Sequence, residues 1–363
     1  SLHDLLKRYG RQRHPYLDSF ETMKESGCLI EFRYVPNGST LIYISHEWSG
    51  TNHPDPNGTQ MYHLLYLLER LQKGEISRTD MDAVHRVLYK QNHSTTAKEW
   101  KHILNPEKTY IWYDGFSVPR SRREDGFRSI PSYLQRCNFM IILAPGCTHF
   151  DRVDPRTQRK MNLCYRTYRL QAHCVFELFS AFLTTKGGQR AKLALLVRSG
   201  TGYPNWISPL ECQKLAVGTS KFQCCESNHV FIQKCRKTFV HGILDRLIDT
   251  RVQSLFVSNN FADARFSLCM RNYWFRGLIN NGATKKTWSS FSSFKTDLKW
   301  SSSDGTTYDR DGFPILLYAA LTDCVDLVIS TLSTTRDATN PTFQGIRSPK
   351  KGLPTFGVSG FST

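Results

Sequence analysis

Short apolar runs alternate with stretches of helical period through the N-terminal half of the chain. "TLIYIS" at 40–45, "TYIWY" at 109–113, "NFMIILA" at 138–144 and "KLALLV" at 192–197 are brief, rich in β-branched or aromatic residues, and apolar at successive positions. A strand with one wet face alternates apolar and polar residues, whereas one covered on both faces does not. These four runs therefore read as central strands of a parallel sheet. Between the first two, Met61, Leu64, Leu65, Leu68 and Leu71 recur at helical spacing, with Thr59 as the expected N-cap and Gly74 as the stop. Residues 79–91 and 95–104 read as two further helices inserted before the second strand. "RSIPSYLQRC" predicts a short helix that tolerates Pro131 in its first turn. "NLCYRTYRLQAHCVFELFSAFLTT" predicts one long helix ending near 186–188. Strand and helix alternating in this way predict an open, doubly wound α/β sheet.

The pattern weakens after Gly200. Pro204, Trp206 and Pro209 mark a loop, and 228–280 reads as largely helical. The stretch 288–305 is serine-rich and aperiodic, which reads as a linker or mobile loop. The expected organisation is an N-terminal extension (1–37), a sheet domain (38–200) with a helical insert (75–105), a mostly helical extension (201–287), a serine-rich linker (288–308) and a tail (309–363).

Composition narrows the function classes. The chain has 363 residues, long for one core, and 40% of them are hydrophobic, which argues against wholesale disorder. Its net charge of +17, from 48 basic and 31 acidic side chains, favours anionic partners. The basic residues are scattered, however, with no arginine-rich tract or zinc-finger spacing, so a solvated basic surface is expected rather than nucleic-acid recognition. Eleven cysteines, an odd number, do not make a disulfide framework. Reduced thiols fit a cytoplasmic setting. Cys137, Cys174 and Cys269 sit in apolar segments and read as core. Cys212, Cys224, Cys225, His229 and Cys235 cluster in sequence but lack paired C-x-x-C geometry, so no metal site is expected. No apolar run approaches the roughly 20 residues that span a bilayer.

Candidate chemistry gathers where parallel strands end, since ligands of open α/β sheets bind beyond their carboxyl ends. Ser45, His46, Glu47 and Trp48 follow the first run. Asp114 follows the second and opens a polar loop carrying Arg120, Arg122 and Arg123; His149 and Asp151 follow the third. Glu177 lies among Phe176, Leu178 and Phe179, where a carboxylate acquires a raised pKa or a dedicated partner. Each has a plainer counterpart. Glu177 pairs with Arg166 or Arg169, His46 closes a strand end, Glu47 faces solvent, Trp48 packs, and the arginines form a solvated loop.

The ordered stretches "IYISHEW", "TYIWYDGFSVP", "SIPSYLQRCNFMIILAP" and "HCVFELF" resemble the Toll/interleukin-1 receptor (TIR) superfamily over residues 38–200. The resemblance is closest to a divergent branch of eukaryotic microbes in which a Ser-His-x-Trp start precedes HPDP-x-G-x-Q, here His53 to Gln60. It implies a flavodoxin-like parallel sheet in the order 2-1-3-4, with room for a fifth edge strand. Some members only assemble signalling complexes, while others cleave the nicotinamide–ribose bond of NAD. The enzymes carry Trp-Cys-x-x-Glu on the third helix. The matching stretch runs from His173 through Cys174 to Glu177, with His in place of Trp. The resemblance thus implies Glu177 as catalytic residue, and Ser45, His46, Trp48, Asp114, Arg120 and Arg123 as ligand contacts. NAD is then a substrate, not a permanently bound cofactor. The implied partners are other proteins, including a second copy of the chain.

The tail, "DRDGFPILLYAALTDCVDLVISTLS", resembles an ankyrin repeat, with Phe313 for the usual Thr and Asp323 or Cys324 for the usual Gly. Residues 350–363 read as the start of a further unit, which implies a longer parent protein. The alternative is an amphipathic helical hairpin capping the sheet domain. Two functions follow: an NAD-cleaving TIR-like signalling enzyme, or a non-catalytic interaction scaffold of TIR-like and ankyrin-like modules.

Overall fold

The apolar runs form strands Thr40–His46, Thr109–Tyr113, Phe139–Ala144 and Ala194–Arg198 of one sheet. In the computed structural model, which describes residues 1–10, 16–184, 193–198, 203–226, 235–278, 285–301 and 307–336, they pair in the order second, first, third, fourth. All four are parallel. A fifth strand, Asn205–Ile207, runs antiparallel along the edge of the fourth. The chain is an α/β protein with a mostly parallel central sheet, in an order compatible with a flavodoxin-like core.

Strand side chains alternate between two apolar layers, because the side-chain period of a strand is two. Ile42, Ile44, Ile141, Leu143, Leu195 and Val197 join the layer containing helices Leu2–Tyr9 and Thr59–Lys73. Tyr43, Met140, Ile142, Ala194 and Leu196 face the other, which contains Ile130–Arg136, Ala172–Leu183 and Arg236–Val257. Burial on both faces is the physical reason the first, third and fourth runs lack polar alternation; Thr109–Tyr113, expected to be central, lies at the sheet edge with Tyr110, Ile111 and Trp112 only half-buried.

Several sequence expectations are corrected. The Thr59–Lys73 helix is not capped by Thr59: Gly58 occupies the cap position without a side-chain bond, and the Asp55 carboxylate accepts from the Met61 N–H at 2.8 Å. Gly74 does end it, at φ 77°, a left-handed conformation that costs glycine little. The insert is not purely helical. Strands Arg78–Asp80 and Ser94–Thr96 pair antiparallel, and helices Ala83–Tyr89 and Ala97–Ile103 follow them. Trp206, expected in a loop, belongs to the edge strand. It stacks on Trp100 of the insert at 5.5 Å, and the two indoles donate to Thr95 and Thr79.

The predicted long helix is broken into Tyr165–Tyr168 and Ala172–Leu183. Between them the backbone leaves the helix to pair with Lys221, whose N–H donates to the Leu170 carbonyl at 2.7 Å and whose carbonyl accepts from Ala172 at 3.0 Å. The region expected to end the helix near 186–188 lies outside the described residues. A hairpin of Thr148–Val153 and Lys160–Asn162, not anticipated, follows the third strand.

The first part of the expected linker is packed. Helix Phe291–Asp297 starts with a Ser290–Ser293 capping box, and its Phe294 and Leu298 are completely buried. Serines that suggested a flexible tether are here the helix cap. Helices Ile315–Leu321 and Val325–Arg336 form the tail, joined through Asp323 at φ 58°. Ile315, Tyr318, Ala319 and Leu327 belong to the same apolar layer as the sheet's Tyr43 face. Buried Asp309 locks the turn before them, accepting from the Phe313 N–H and the Tyr318 hydroxyl at 2.8 Å and pairing with Arg265 at 3.3 Å. The stretch 350–363 lies outside the described residues. Among the described residues no helix is long and apolar enough to cross a membrane.

Candidate functional site

Tyr43 and Ser45 share a strand face two residues apart, and both reach Glu177 on the Ala172–Leu183 helix. The Tyr43 hydroxyl donates to one carboxylate oxygen at 2.7 Å, and the Ser45 hydroxyl donates to the other. Ser45 also bonds the Tyr168 hydroxyl at 2.6 Å. Glu177 is only 6% exposed, and burial pushes its pKa up to about 7 against the pull of these hydroxyl donors. Cys174, one turn earlier, donates to the His46 carbonyl at 3.6 Å, and His173 contacts the same carbonyl at 3.3 Å. Burial pushes His173 down to about 4, so it is neutral near pH 7.

His46 points to the opposite face, toward Gln60 and Asp114. Its Nδ1 lies 2.6 Å from the Gln60 amide oxygen and its Nε2 2.9 Å from Asp114. The Gln60 amide nitrogen is committed to the Glu47 carbonyl at 2.7 Å, so Gln60 offers His46 an acceptor. Both ring nitrogens thus face acceptors, the pattern an imidazolium satisfies. Burial works against that charge, but the Asp114 carboxylate and the Gln60 bond outweigh it and hold the His46 pKa above its ordinary value. Burial would likewise raise Asp114. The His46 charge and the Trp48 N–H, at 2.7 Å, overcome it and hold Asp114 below the usual carboxylate range.

Beside these groups lies a cavity of about 160 Å³ whose walls include Tyr43, Glu47, Trp48, Trp112, Asp114 and Glu177. A cavity of about 150 Å³ holds one benzene-sized ring, so one flat ring fits while the rest of a larger ligand lies across the rim. Arg123, Arg152 and Arg236 stand at that rim. Arg236 is held by Glu124 at 2.6 Å and Arg152 by Glu226 at 3.3 Å. Among the described residues Arg123 forms no ion pair; its guanidinium lies 4.8 Å above the Trp48 ring.

Compared with protein-family models, with curated proteins and with solved structures, the chain finds no match in any of the three.

The residues singled out in the sequence divide into two groups. Glu47, Trp48, Asp114, Arg123, His149 and Glu177 line the cavity. Ser45 and His46 do not; they lie behind it and orient Glu177 and Asp114. Arg120 is exposed and off the cavity. Glu177 is paired with hydroxyls rather than with Arg166 or Arg169, and Arg169 contacts Glu211 at 3.2 Å. Glu47 does not face open solvent: Thr167 and Gln171 donate to it at 2.6 and 2.7 Å, and burial raises its pKa. Sequence reasoning met Gln60 only as the end of the HPDP-x-G-x-Q stretch, and missed Tyr43, Tyr168, Arg152 and Arg236. Only Tyr43 carried a usable signal, since a polar phenol at the position two before Ser45 shares its face in a strand.

Proposed function

We propose that the chain is a TIR-like signalling protein whose cavity receives the nicotinamide end of NAD and whose Glu177 promotes cleavage of the nicotinamide–ribose bond. One observation carries this reading: a buried carboxylate with a pKa near 7 in the wall of a ring-sized cavity, beyond the carboxyl ends of parallel strands. Breaking an N-glycosidic bond builds oxocarbenium character on the ribose, as in glycoside hydrolysis. An ionised Glu177 opposes that charge where it develops, and the fixed Tyr43 and Ser45 hydroxyls spare the reorganisation that free water would require. Nicotinamide leaves as a neutral group, so no second carboxylic acid is needed. Arg123 and Arg152 at the rim provide positive charge for the pyrophosphate, and Trp48 and Trp112 provide aromatic walls.

The scaffold reading keeps one specific support. Val325 and Ile329 expose 72% and 56% of their surface one turn apart on the last described helix. An ankyrin-like unit leaves such a face for its stacked neighbour. Incubating the purified chain with NAD over a wide range of protein concentration, and measuring free nicotinamide, decides between the two. The range matters because TIR-like enzymes complete their pockets by self-association. Release of nicotinamide supports the enzyme; no release at any concentration leaves the scaffold.

A further inference from the structure

Cys224 and Cys225 occupy consecutive positions in the short Gln223–Glu226 helix, and Cys235 is the N-cap of the Arg236–Val257 helix. The three sulfurs converge. Cys225 Sγ lies 3.6 Å from Cys235 Sγ and 4.0 Å from Cys224 Sγ, and all three lie within 4.8 Å of one another. Cys212 falls outside the group.

A tetrahedral zinc ion with Zn–S bonds of about 2.3 Å holds its sulfurs about 3.8 Å apart. Two of the three separations are already within a few tenths of an ångström of that value. A disulfide would need about 2.05 Å. We propose that Cys224, Cys225 and Cys235 form a three-thiolate site for one thiophilic divalent cation, with Zn²⁺ as the ion that fits. The sequence offered no C-x-x-C pair because the site is built from two neighbouring cysteines and a third brought back by the fold.

The surroundings agree with this chemistry. Cys235 stands at the N-terminus of a 22-residue helix, where the backbone dipole favours negative charge. Cys224 is buried, while Cys225 and Cys235 are half-buried, which leaves a route for the ion. On binding, three S–H bonds give their protons to solvent and three S–metal bonds form; nothing is oxidised or reduced. Three ligands from the described residues leave a fourth tetrahedral position to be filled; His229, which clusters with these cysteines in sequence, lies outside the described residues. Gln223 and Arg236, the neighbours of Cys224 and Cys235, both line the cavity. A bound ion would thus clamp two of its wall residues in place. The inference does not rest on the NAD reading.

The test uses the full chain, purified under reducing conditions, stripped with a chelator and titrated with Co²⁺ and then Zn²⁺. The expected result is a thiolate-to-cobalt charge-transfer band that saturates at one equivalent and is abolished by one equivalent of Zn²⁺. Cys225→Ser and Cys235→Ser should each weaken binding on the order of a hundredfold, since each removes one of the thiolates that hold the ion. Cys28→Ser, half-buried near the N-terminus, should leave it unchanged. Far-ultraviolet circular dichroism checks that each variant is folded. Three results overturn the proposal: no charge-transfer band with reduced protein, a band that survives both Cys225→Ser and Cys235→Ser, or a band lost equally in Cys28→Ser.

Discussion

The Tyr43 hydroxyl donates to Glu177 at 2.7 Å, joining residues 134 positions apart. That bond stabilises the ionised carboxylate against a burial that otherwise favours the neutral acid. If cleavage uses the ionised form, the rate should rise with pH through about 7. Tyr43→Phe removes one donor and should move that limb to higher pH, because a carboxylate losing a hydrogen bond becomes a weaker acid. A pH–rate profile of nicotinamide release with the same limb in both proteins would contradict the assignment.

Glu177→Gln separates catalysis from stability. It keeps shape and removes charge, so turnover should fall by two or more orders of magnitude, about 3 kcal/mol of barrier. Stability should move the other way at high pH. The folded pKa of about 7 lies above the ordinary value of 4.5, so the stabilising share of Glu177 is full below 4.5 and is lost as pH rises through 7. The Gln variant lacks that loss. Urea unfolding at pH 5 and pH 8 should show the variant gaining on wild type at pH 8, by up to roughly 3 kcal/mol.

The His46–Asp114 pair makes a spectroscopic prediction. The His46 pKa is raised, so its contribution to stability is present below the ordinary imidazole range and lost as pH rises through its folded value. Asp114 is lowered, so its contribution holds above the ordinary carboxylate range and is lost as pH falls through its folded value. The pair should therefore stabilise most between those ranges. In an NMR titration His46 should titrate above ordinary histidines, and Asp114→Asn should bring it down. An unchanged titration would show that Asp114 does not hold the charge.

Arginines in one loop should behave differently. Arg123 stands at the cavity rim over Trp48, whereas Arg120 is exposed and off the cavity. Arg123→Ala should raise the KM for NAD about tenfold with little change in kcat, as expected for loss of a charge-assisted contact. Arg120→Ala should change neither. Equal effects of the two would mean that the loop acts only through its general charge.

Phe294 tests the packing of the serine-rich segment. It is completely buried within the larger apolar layer. Phe294→Ala should destabilise the protein by about 3–5 kcal/mol, the usual cost of removing a buried phenyl ring. Thermal unfolding measures it. A change of only a few tenths would restore this stretch to the role of a tether.

The sequence by itself determined the four parallel strands and the helix after the first of them, since a short apolar run and a helical period need no partner to be read. It also placed Glu177 among apolar residues, from which a perturbed carboxylate follows. It could not distinguish ligand contacts from the groups behind them. Ser45 and His46 sit next to each other, yet the strand's alternation sends one to Glu177 and the other to Asp114. The break at 169–171 was invisible because Lys221, which pairs with that backbone, is 50 residues away. The serines at 290 and 293 carry linker composition, and only the burial of Phe294 decides that they cap a packed helix. Local periodicity records what each segment must bury. Which polar groups meet, and with what charge, is decided by contacts between segments far apart in the chain.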